Sequence, residues 1–149
     1  MNAGNTLVLK RTFSASCERV FAMWTSAELM MKWFCPGKDM TVPLAEVDAR
    51  DGGSYRIVMQ NKDGETYSPS GVYEKVVPNE TLIFSWKWAD SETITRVTLD
   101  FRAVGTAETE LTLTHEGFPE SDMRDRHNEG WEGCLSRLSD ALQPSTEEQ

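Results

Sequence analysis

Polar and apolar side chains alternate along much of the chain between residues 40 and 116, with the two-residue period that is typical of β-strands. In three runs the apolar residues share one face: Tyr55, Ile57 and Met59; Leu82, Phe84, Trp86 and Trp88; and Val97, Leu99 and Phe101. The opposite face carries Arg56, Lys87, Arg96, Asp100 and Arg102. An antiparallel sheet with one solvated face must cover its apolar face with another layer, and this requirement constrains the fold more than any other feature.

Turn signals divide this region into short runs that are rich in β-branched and aromatic residues. The signals are Asp51-Gly52-Gly53, Asp63-Gly64, Pro78-Asn79-Glu80 and Val104-Gly105-Thr106. They predict six strands, over residues 40–50, 54–61, 66–77, 81–89, 93–103 and 107–116, after a first strand over residues 7–13. Because the connections are short and direct, neighbouring strands are expected to be antiparallel.

Two short helices are predicted between the first strand and the rest of the sheet. Ser16 is a candidate N-cap for the first helix, and Ser26 is a candidate N-cap for the second. The second helix is expected to extend through Trp33 and Phe34, until the pair Pro36-Gly37 ends it.

A long amphipathic helix is predicted near the end of the chain, with Ser121 as a candidate N-cap. Its apolar stripe recurs at spacings of three and four residues and consists of Met123, His127, Trp131, Cys134, Leu135, Leu138 and Leu142. Since this helix is the element left to cover the sheet, the sequence predicts an α+β fold in which a curved antiparallel sheet wraps around it. We expect one domain over residues 1–143 and a disordered tail over residues 144–149.

Charge and composition exclude several classes of function. The formal net charge is -9, which repels nucleic acids and anionic membranes. The N-terminus lacks the basic and apolar regions of a signal peptide, and no apolar stretch approaches the roughly 18 residues of a membrane span. We therefore expect a cytoplasmic protein that binds neither nucleic acid nor membrane, and that is a monomer or a weak homodimer.

The three cysteines, Cys17, Cys35 and Cys134, are odd in number and form no Cys-x-x-Cys pair. They are predicted to be small buried or half-buried side chains rather than nucleophiles. The two histidines lack neighbouring ligands at metal-binding spacing, so neither a metal nor another cofactor is expected.

Several short motifs, in this order of elements, resemble one protein family. They are Arg11-Thr12-Phe13, Val20-Phe21-Ala22-Met23-Trp24-Thr25, Trp33-Phe34, Gly52-Gly53-Ser54-Tyr55-Arg56, Gly71-Val72-Tyr73, Thr114-His115-Glu116-Gly117-Phe118 and Gly130-Trp131 before Leu138. Together they resemble the family named after the activator of the heat-shock protein 90 ATPase, within the START, polyketide-cyclase and birch-pollen-allergen superfamily. The likeness covers residues 7–142.

The resemblance implies a helix-grip fold, in which a sheet of about seven strands curls around the C-terminal helix. It also implies a cavity between sheet and helix that receives an apolar ligand in many relatives. The superfamily includes ligand carriers, cyclases, oxygenase domains and a chaperone activator, so this fold does not determine the function.

The chain contains no Gly-x-Ser-x-Gly elbow, His-Glu-x-x-His motif, phosphate loop or dinucleotide fingerprint. His115 shares a strand face with Thr109, Leu111 and Leu113, where an imidazole could act as an acid or base, or could satisfy a structural hydrogen bond. The sequence alone leaves both roles open.

Arg11 shares a strand face with Leu9 and Phe13. It is expected to meet an internal carboxylate, with Asp48 and Glu74 as candidates, or a ligand anion, or to lie near the wet edge of the sheet.

The leading hypothesis is a binding module for a small apolar or amphipathic molecule. The residues proposed to line its cavity are Trp24, Trp33, Phe34, Tyr55, Ile57, Met59, Trp86, Trp88, Phe101, Leu113, His115, Trp131 and Leu135. The tryptophans could equally fill the space inside the curved sheet. A chaperone accessory domain and a cyclase- or hydrolase-type enzyme that uses His115 and Tyr55 are the two alternative hypotheses.

Overall fold

A computed structural model describes residues 5–35, 37 and 39–142. The elements follow in chain order as β1 (Leu7–Phe13), α1 (Cys17–Thr25), α2 (Ala27–Met30), β2 (Thr41–Val47), β3 (Ser54–Gln60), β4 (Thr66–Tyr67), β5 (Pro69–Val77), β6 (Thr81–Trp88), β7 (Thr95–Ala103), β8 (Thr109–Glu116) and α3 (Ser121–Leu142). The predicted tail at 144–149 lies outside the described residues, as do Pro36 and residue 143.

The strands form one antiparallel sheet in the order β1-β8-β7-β6-β5-β3-β2, with β4 paired to the C-terminal end of β3. This confirms the predicted α+β helix-grip architecture. The alternation predicted for β3, β6 and β7 is also confirmed: Ile57, Leu82, Val97 and Leu99 have no exposed surface, whereas Arg56 and Arg96 on the other face are exposed.

The predicted turns fall where the backbone takes a positive φ. These residues are Gly52 (84°), Gly64 (87°), Asn79 (65°) and Gly105 (81°). Glycine and asparagine adopt this conformation more readily than other residues, which is why these positions end strands.

The strand predicted over residues 66–77 is wrong in one respect, because the structure divides it at Ser68 into β4 and β5. The Ser68 hydroxyl donates to the carbonyl oxygen of Ile57 at 2.9 Å. Pro69, which follows, has no N–H to contribute to a continuous ladder. After the break, β4 pairs with the end of β3 at Met59 and Gln60, and β5 pairs with the beginning of β3.

Both predicted N-caps of the short helices are confirmed. The Ser16 side chain accepts from the backbone N–H of Arg19 at 3.2 Å, and that of Ser26 accepts from Leu29 at 3.3 Å. The second helix is shorter than predicted and ends at Met30. Trp33 lies beyond it in a turn, where its indole N–H donates to the carbonyl oxygen of Met23 at 3.0 Å, so the side chain joins the two helices.

α3 begins at Ser121, which is its first residue rather than a residue preceding it. The buried residues of α3 are Trp131, Cys134, Leu135, Leu138 and Leu142, as the stripe predicted, with Met123 partly buried. This face joins the apolar face of the sheet in one core. Within the described residues, no helix is long and apolar enough to cross a membrane.

Two glycines have opposite surroundings. A Cβ added to Gly71 in β5 would overlap the backbone carbonyl of Ser85 on β6, so the two strands approach closely at this glycine. A Cβ added to Gly130 in α3 would meet no atom within 4 Å outside the helix's own backbone. The glycine in the helix therefore leaves space beside α3, whereas the glycine in the strand permits a tight backbone contact.

We expect Gly71→Ala to lower the free energy of unfolding by about 1–3 kcal/mol, since the added methyl group must displace backbone. Gly130→Ala is the matched control and is expected to raise it by about 1 kcal/mol through helix propensity. Urea unfolding followed by circular dichroism measures both values. Equal effects of the two substitutions would contradict this account.

Candidate ligand-binding cavity

A cavity of about 810 Å³ lies between the first half of α3 and one end of the sheet. Its walls are formed by Phe34, Met40, Met59, Asn61, Tyr67, Trp86, Trp88, Asp90, Ser91, Met123, Arg126, His127, Gly130, Trp131 and Cys134. The volume is within the range of about 300–1,000 Å³ that small-molecule sites occupy.

The topology explains why the cavity forms at this end. The end of β3 and the β4 hairpin contribute Met59 and Tyr67, which are paired across the two strands. The end of β6 contributes Trp86 and Trp88. Gly130, which has no side chain, leaves open space beside α3. The sheet thus continues past the point where α3 covers it closely.

Aromatic rings form most of the inner wall. The ring centroids of Trp86 and Trp131 are 5.1 Å apart, and those of Trp86 and Trp88 are 5.4 Å apart in a T-shaped arrangement. Phe34 lies 5.8 Å from Trp131 and 6.2 Å from Trp86. Since these rings pack on one another, the wall is formed before any ligand arrives.

His127 holds Trp88 in this wall. The indole N–H of Trp88 donates to Nε2 of His127 at 2.8 Å, so the ring's proton is on Nδ1, which donates to the carbonyl oxygen of Met123 at 2.8 Å. Burial lowers the pKa of His127; the Met123 hydrogen bond opposes this shift, and the nearby Arg126 charge adds to it. A neutral imidazole therefore joins α3 to the end of β6.

His115 forms a second hydrogen-bonded connection between α3 and the sheet, deeper in the core. The indole N–H of Trp131 donates to its Nδ1 at 3.0 Å, and its Nε2–H donates to Oγ1 of Thr95 at 2.7 Å. The Thr95 hydroxyl in turn donates to the carbonyl oxygen of Trp86 at 3.3 Å. Burial lowers the pKa of His115 to about 2, with a smaller contribution from His127.

His115 has no exposed surface and does not line the cavity, and both of its ring nitrogens have partners. The Tyr55 hydroxyl donates to the carbonyl oxygen of Ser85 at 2.6 Å and also lies away from the cavity. The sequence left two roles open for His115, that of an acid or base and that of a structural hydrogen bond. This geometry corresponds to the structural hydrogen bond.

Five of the thirteen side chains proposed from the sequence lie at the cavity wall: Phe34, Met59, Trp86, Trp88 and Trp131. The other eight lie elsewhere in the core: Trp24, Trp33, Tyr55, Ile57, Phe101, Leu113, His115 and Leu135. Trp24 and Trp33 pack edge to face at 4.7 Å and fill the space beneath α1 and α2. That any of these residues binds a ligand stays a prediction.

Sequence reasoning did not include the residues at the mouth of the cavity, Asn61, Tyr67, Asp90, Ser91 and Arg126. Strand alternation identifies the face on which a residue lies, but not which end of the sheet stays uncovered. The periodicity of α3 is a signal that could have found its lining residues, since Met123, Arg126, His127, Gly130 and Cys134 lie at i, i+3, i+4, i+7 and i+11 along one side of the helix.

Arg11 does not pair with either predicted carboxylate. Asp48 pairs with Arg50 at 2.9 Å, and Glu74 pairs with Arg96 at 2.9 Å. Arg11 is half-buried and, within the part of the chain that the structure describes, has no carboxylate oxygen within 4.0 Å.

Cys35 and Cys134 are buried and Cys17 is half-buried, as the sequence predicted. Burial raises the pKa of the Cys35 and Cys134 thiols, so both are neutral at physiological pH. Among the described residues, no three histidine, cysteine, aspartate or glutamate side chains lie together in a possible metal site.

The buried neutral state of His115 makes stability depend on pH. The His115 imidazole takes up a proton near pH 6.5 in the unfolded chain but stays neutral in the folded chain. Its contribution to the free energy of unfolding is therefore fully present above that pH and is lost progressively below it. We expect His115 alone to reduce the free energy of unfolding by about 1.4 kcal/mol between pH 7.5 and 5.5. His127 adds to the loss in the same direction.

Urea unfolding at several pH values measures this loss. His115→Gln should reduce the slope of the free energy of unfolding against pH. Should that variant not fold, NMR titration of the wild-type imidazole gives an independent test. A His115 ring signal that titrates between pH 8 and 4 would contradict the buried neutral state.

Solved structures with the same architecture come from several bacteria. A protein from Chromobacterium violaceum is 25% identical, with a TM-score of 0.85 over 95% of this chain and 99% of that one. A Silicibacter pomeroyi protein named AHSA1 is 28% identical, with a TM-score of 0.82 over 92% of this chain and 96% of that one. A protein from Nitrosomonas europaea is 25% identical, with a TM-score of 0.80 over 95% and 96%. A comparison with curated proteins finds no match.

The family model described as Activator of Hsp90 ATPase homolog 1-like protein matches residues 14–143. This span runs from the residue after β1 to the end of α3, so it includes the cavity-forming elements. The chain therefore belongs to the Activator of Hsp90 ATPase homolog 1-like family.

Proposed function

We propose that this protein binds a small apolar or amphipathic molecule in the cavity beside α3. The observation that carries the proposal is the cavity of about 810 Å³, whose inner wall consists of aromatic and methionine side chains. A preformed apolar pocket with a few polar groups at its mouth is typical of small-molecule sites.

The hydrogen bonds behind the wall support binding rather than catalysis. His127 lines the cavity and His115 lies behind it; both are neutral, and their ring nitrogens are used to position Trp88 and Trp131. Each indole is thereby fixed. Neither imidazole has a free ring nitrogen with which to act as a general base on a bound molecule.

Gly130 gives a direct way to test the proposal. Gly130 lines the cavity, and a Cβ added there meets no atom within 4 Å outside the helix's own backbone. A leucine there occupies part of the cavity while it also improves helix propensity. A substitution at Gly130 can therefore reduce the space for a ligand without destabilising the fold.

We expect the neutral dye N-phenyl-1-naphthylamine to bind at one saturable site, measured by dye fluorescence and by quenching of the tryptophans. Gly130→Leu is expected to weaken this binding by about tenfold or more, which corresponds to about 1.4 kcal/mol. Gly130→Ala, which adds a single methyl group, is the control and should bind nearly as well as wild type. Saturable binding that Gly130→Leu leaves unchanged would place the dye elsewhere, and an absence of binding would refute the proposal.

A role as a chaperone accessory domain is the second candidate, and the family description supports it. This role requires association with a heat-shock protein 90 and a higher ATPase rate in its presence. A pull-down with purified chaperone and an ATPase assay test it, and we expect neither binding nor stimulation if ligand binding is the only function. Stimulation that survives Gly130→Leu would show a chaperone role independent of the cavity.

A further inference from the structure

We propose, resting on the ligand-binding function above, that the cavity is selective for an amphipathic organic cation, such as an ammonium group that carries an apolar body. Aromatic rings and thioether sulfurs line the cavity, the indole N–H groups of Trp88 and Trp131 already have partners, and the carboxylate of Asp90 at its mouth has no ion-pair partner among the described residues.

Most of the donors around the cavity already have partners within the protein. The indole N–H groups of Trp88 and Trp131 donate to histidine, and the Nδ1–H of His127 donates to a backbone carbonyl. The indole N–H of Trp86 is the exception, because it is buried, with less than 1 Å² of surface, and has no hydrogen-bond partner within the described part of the chain. Apart from the guanidinium of Arg126, an anion that entered the cavity would therefore find few accessible N–H groups to replace its water.

Two polar side chains at the mouth of the cavity also have partners within the protein. The Asn61 amide donates to Oε1 of Glu65 at 2.8 Å, and the Tyr67 hydroxyl donates to the same oxygen at 3.4 Å. Two polar residues of the wall are thus committed to a carboxylate at the rim. Among the described residues, the lining donors that remain are the Arg126 guanidinium, the Ser91 hydroxyl, the weakly donating Cys134 thiol and the buried indole N–H of Trp86.

The inner wall suits a cation. Three tryptophans and Phe34 line it, and the face of an aromatic ring attracts a cation, most strongly for tryptophan. Met40, Met59 and Met123 add polarizable thioether sulfurs. An organic cation loses water at low cost compared with a compact ion, so it can exploit both the rings and the apolar volume.

Charge at the mouth favours the same ligand. Asp90 lines the cavity and, among the described residues, its carboxylate has neither an ion-pair partner nor a hydrogen bond. Glu65 adds a second negative charge through its contacts with Asn61 and Tyr67. The protein's net charge of -9 attracts cations over longer distances.

Arg126 is the one cation among the described lining residues, and it opposes this preference. Its side chain is exposed, as is that of Asp90, so water and salt screen both charges. On α3 it lies four residues after Asp122 and three before Glu129, so two acids flank it on the helix surface. Arg126 could instead hold the head of an anionic ligand, and the experiment must distinguish these cases.

Three probes with the same ten-carbon tail separate the alternatives: decyltrimethylammonium, decan-1-ol and decanoate, each below its micelle concentration. Isothermal titration calorimetry gives the affinities, and tryptophan fluorescence reports the site. We expect decyltrimethylammonium to bind about tenfold more tightly than decan-1-ol, and decanoate to bind most weakly. Asp90→Asn should weaken the cation about two- to fivefold and leave decan-1-ol unchanged, whereas Arg126→Gln should strengthen the cation slightly.

Tightest binding by decanoate, lost in Arg126→Gln, would overturn the cation preference and assign the mouth to an anion. Equal binding of the three probes would also overturn it, while the apolar binding function would stand. If none of the three binds, both the preference and the proposed function fail.

Discussion

The structure depends on one requirement: the apolar face of a half-solvated sheet must be buried, and α3 buries it together with α1 and the residues that follow α2. The core is continuous from β1 through α3, and the residues of α3 that face it are apolar at helical spacing. Burial of apolar surface is the main favourable contribution to folding, so this contact sets the position of every other element. Because one helix cannot cover the whole sheet, the end near Trp88 and Tyr67 stays open.

Several polar groups inside this apolar core are arranged in pairs. Two indole N–H donors, from Trp88 and Trp131, meet two imidazole acceptors, from His127 and His115, and the N–H groups of the imidazoles donate to oxygen. A buried donor without a partner costs about 1–3 kcal/mol, so this pairing lowers the cost of placing Trp88 and Trp131 at the boundary of the cavity. The pairing is incomplete, because the indole N–H groups of Trp24 and Trp86 are buried without a partner among the residues that the structure describes.

The sequence predicted what depends on local periodicity, turn chemistry and family motifs. Turns at Gly52 and Asn79, the caps at Ser16 and Ser26, and the apolar stripe of α3 are each encoded within a few residues. The break at Ser68 and the early end of α2 depend on side chains that reach distant backbone, which a local pattern does not contain. For the same reason alternation placed Trp86 and Leu113 on one face, although Trp86 lines the cavity and Leu113 fills the core.

The central claim is that the space beside α3 is a binding site and that the packed aromatic residues beneath α1 and α2 are not. Two-dimensional NMR of the tryptophan side chains during titration with N-phenyl-1-naphthylamine tests this claim most directly. The account predicts that the indole signals of Trp86, Trp88 and Trp131 shift together and saturate, whereas those of Trp24 and Trp33 move little. Shifts confined to Trp24 and Trp33, or no shift at all, would contradict it.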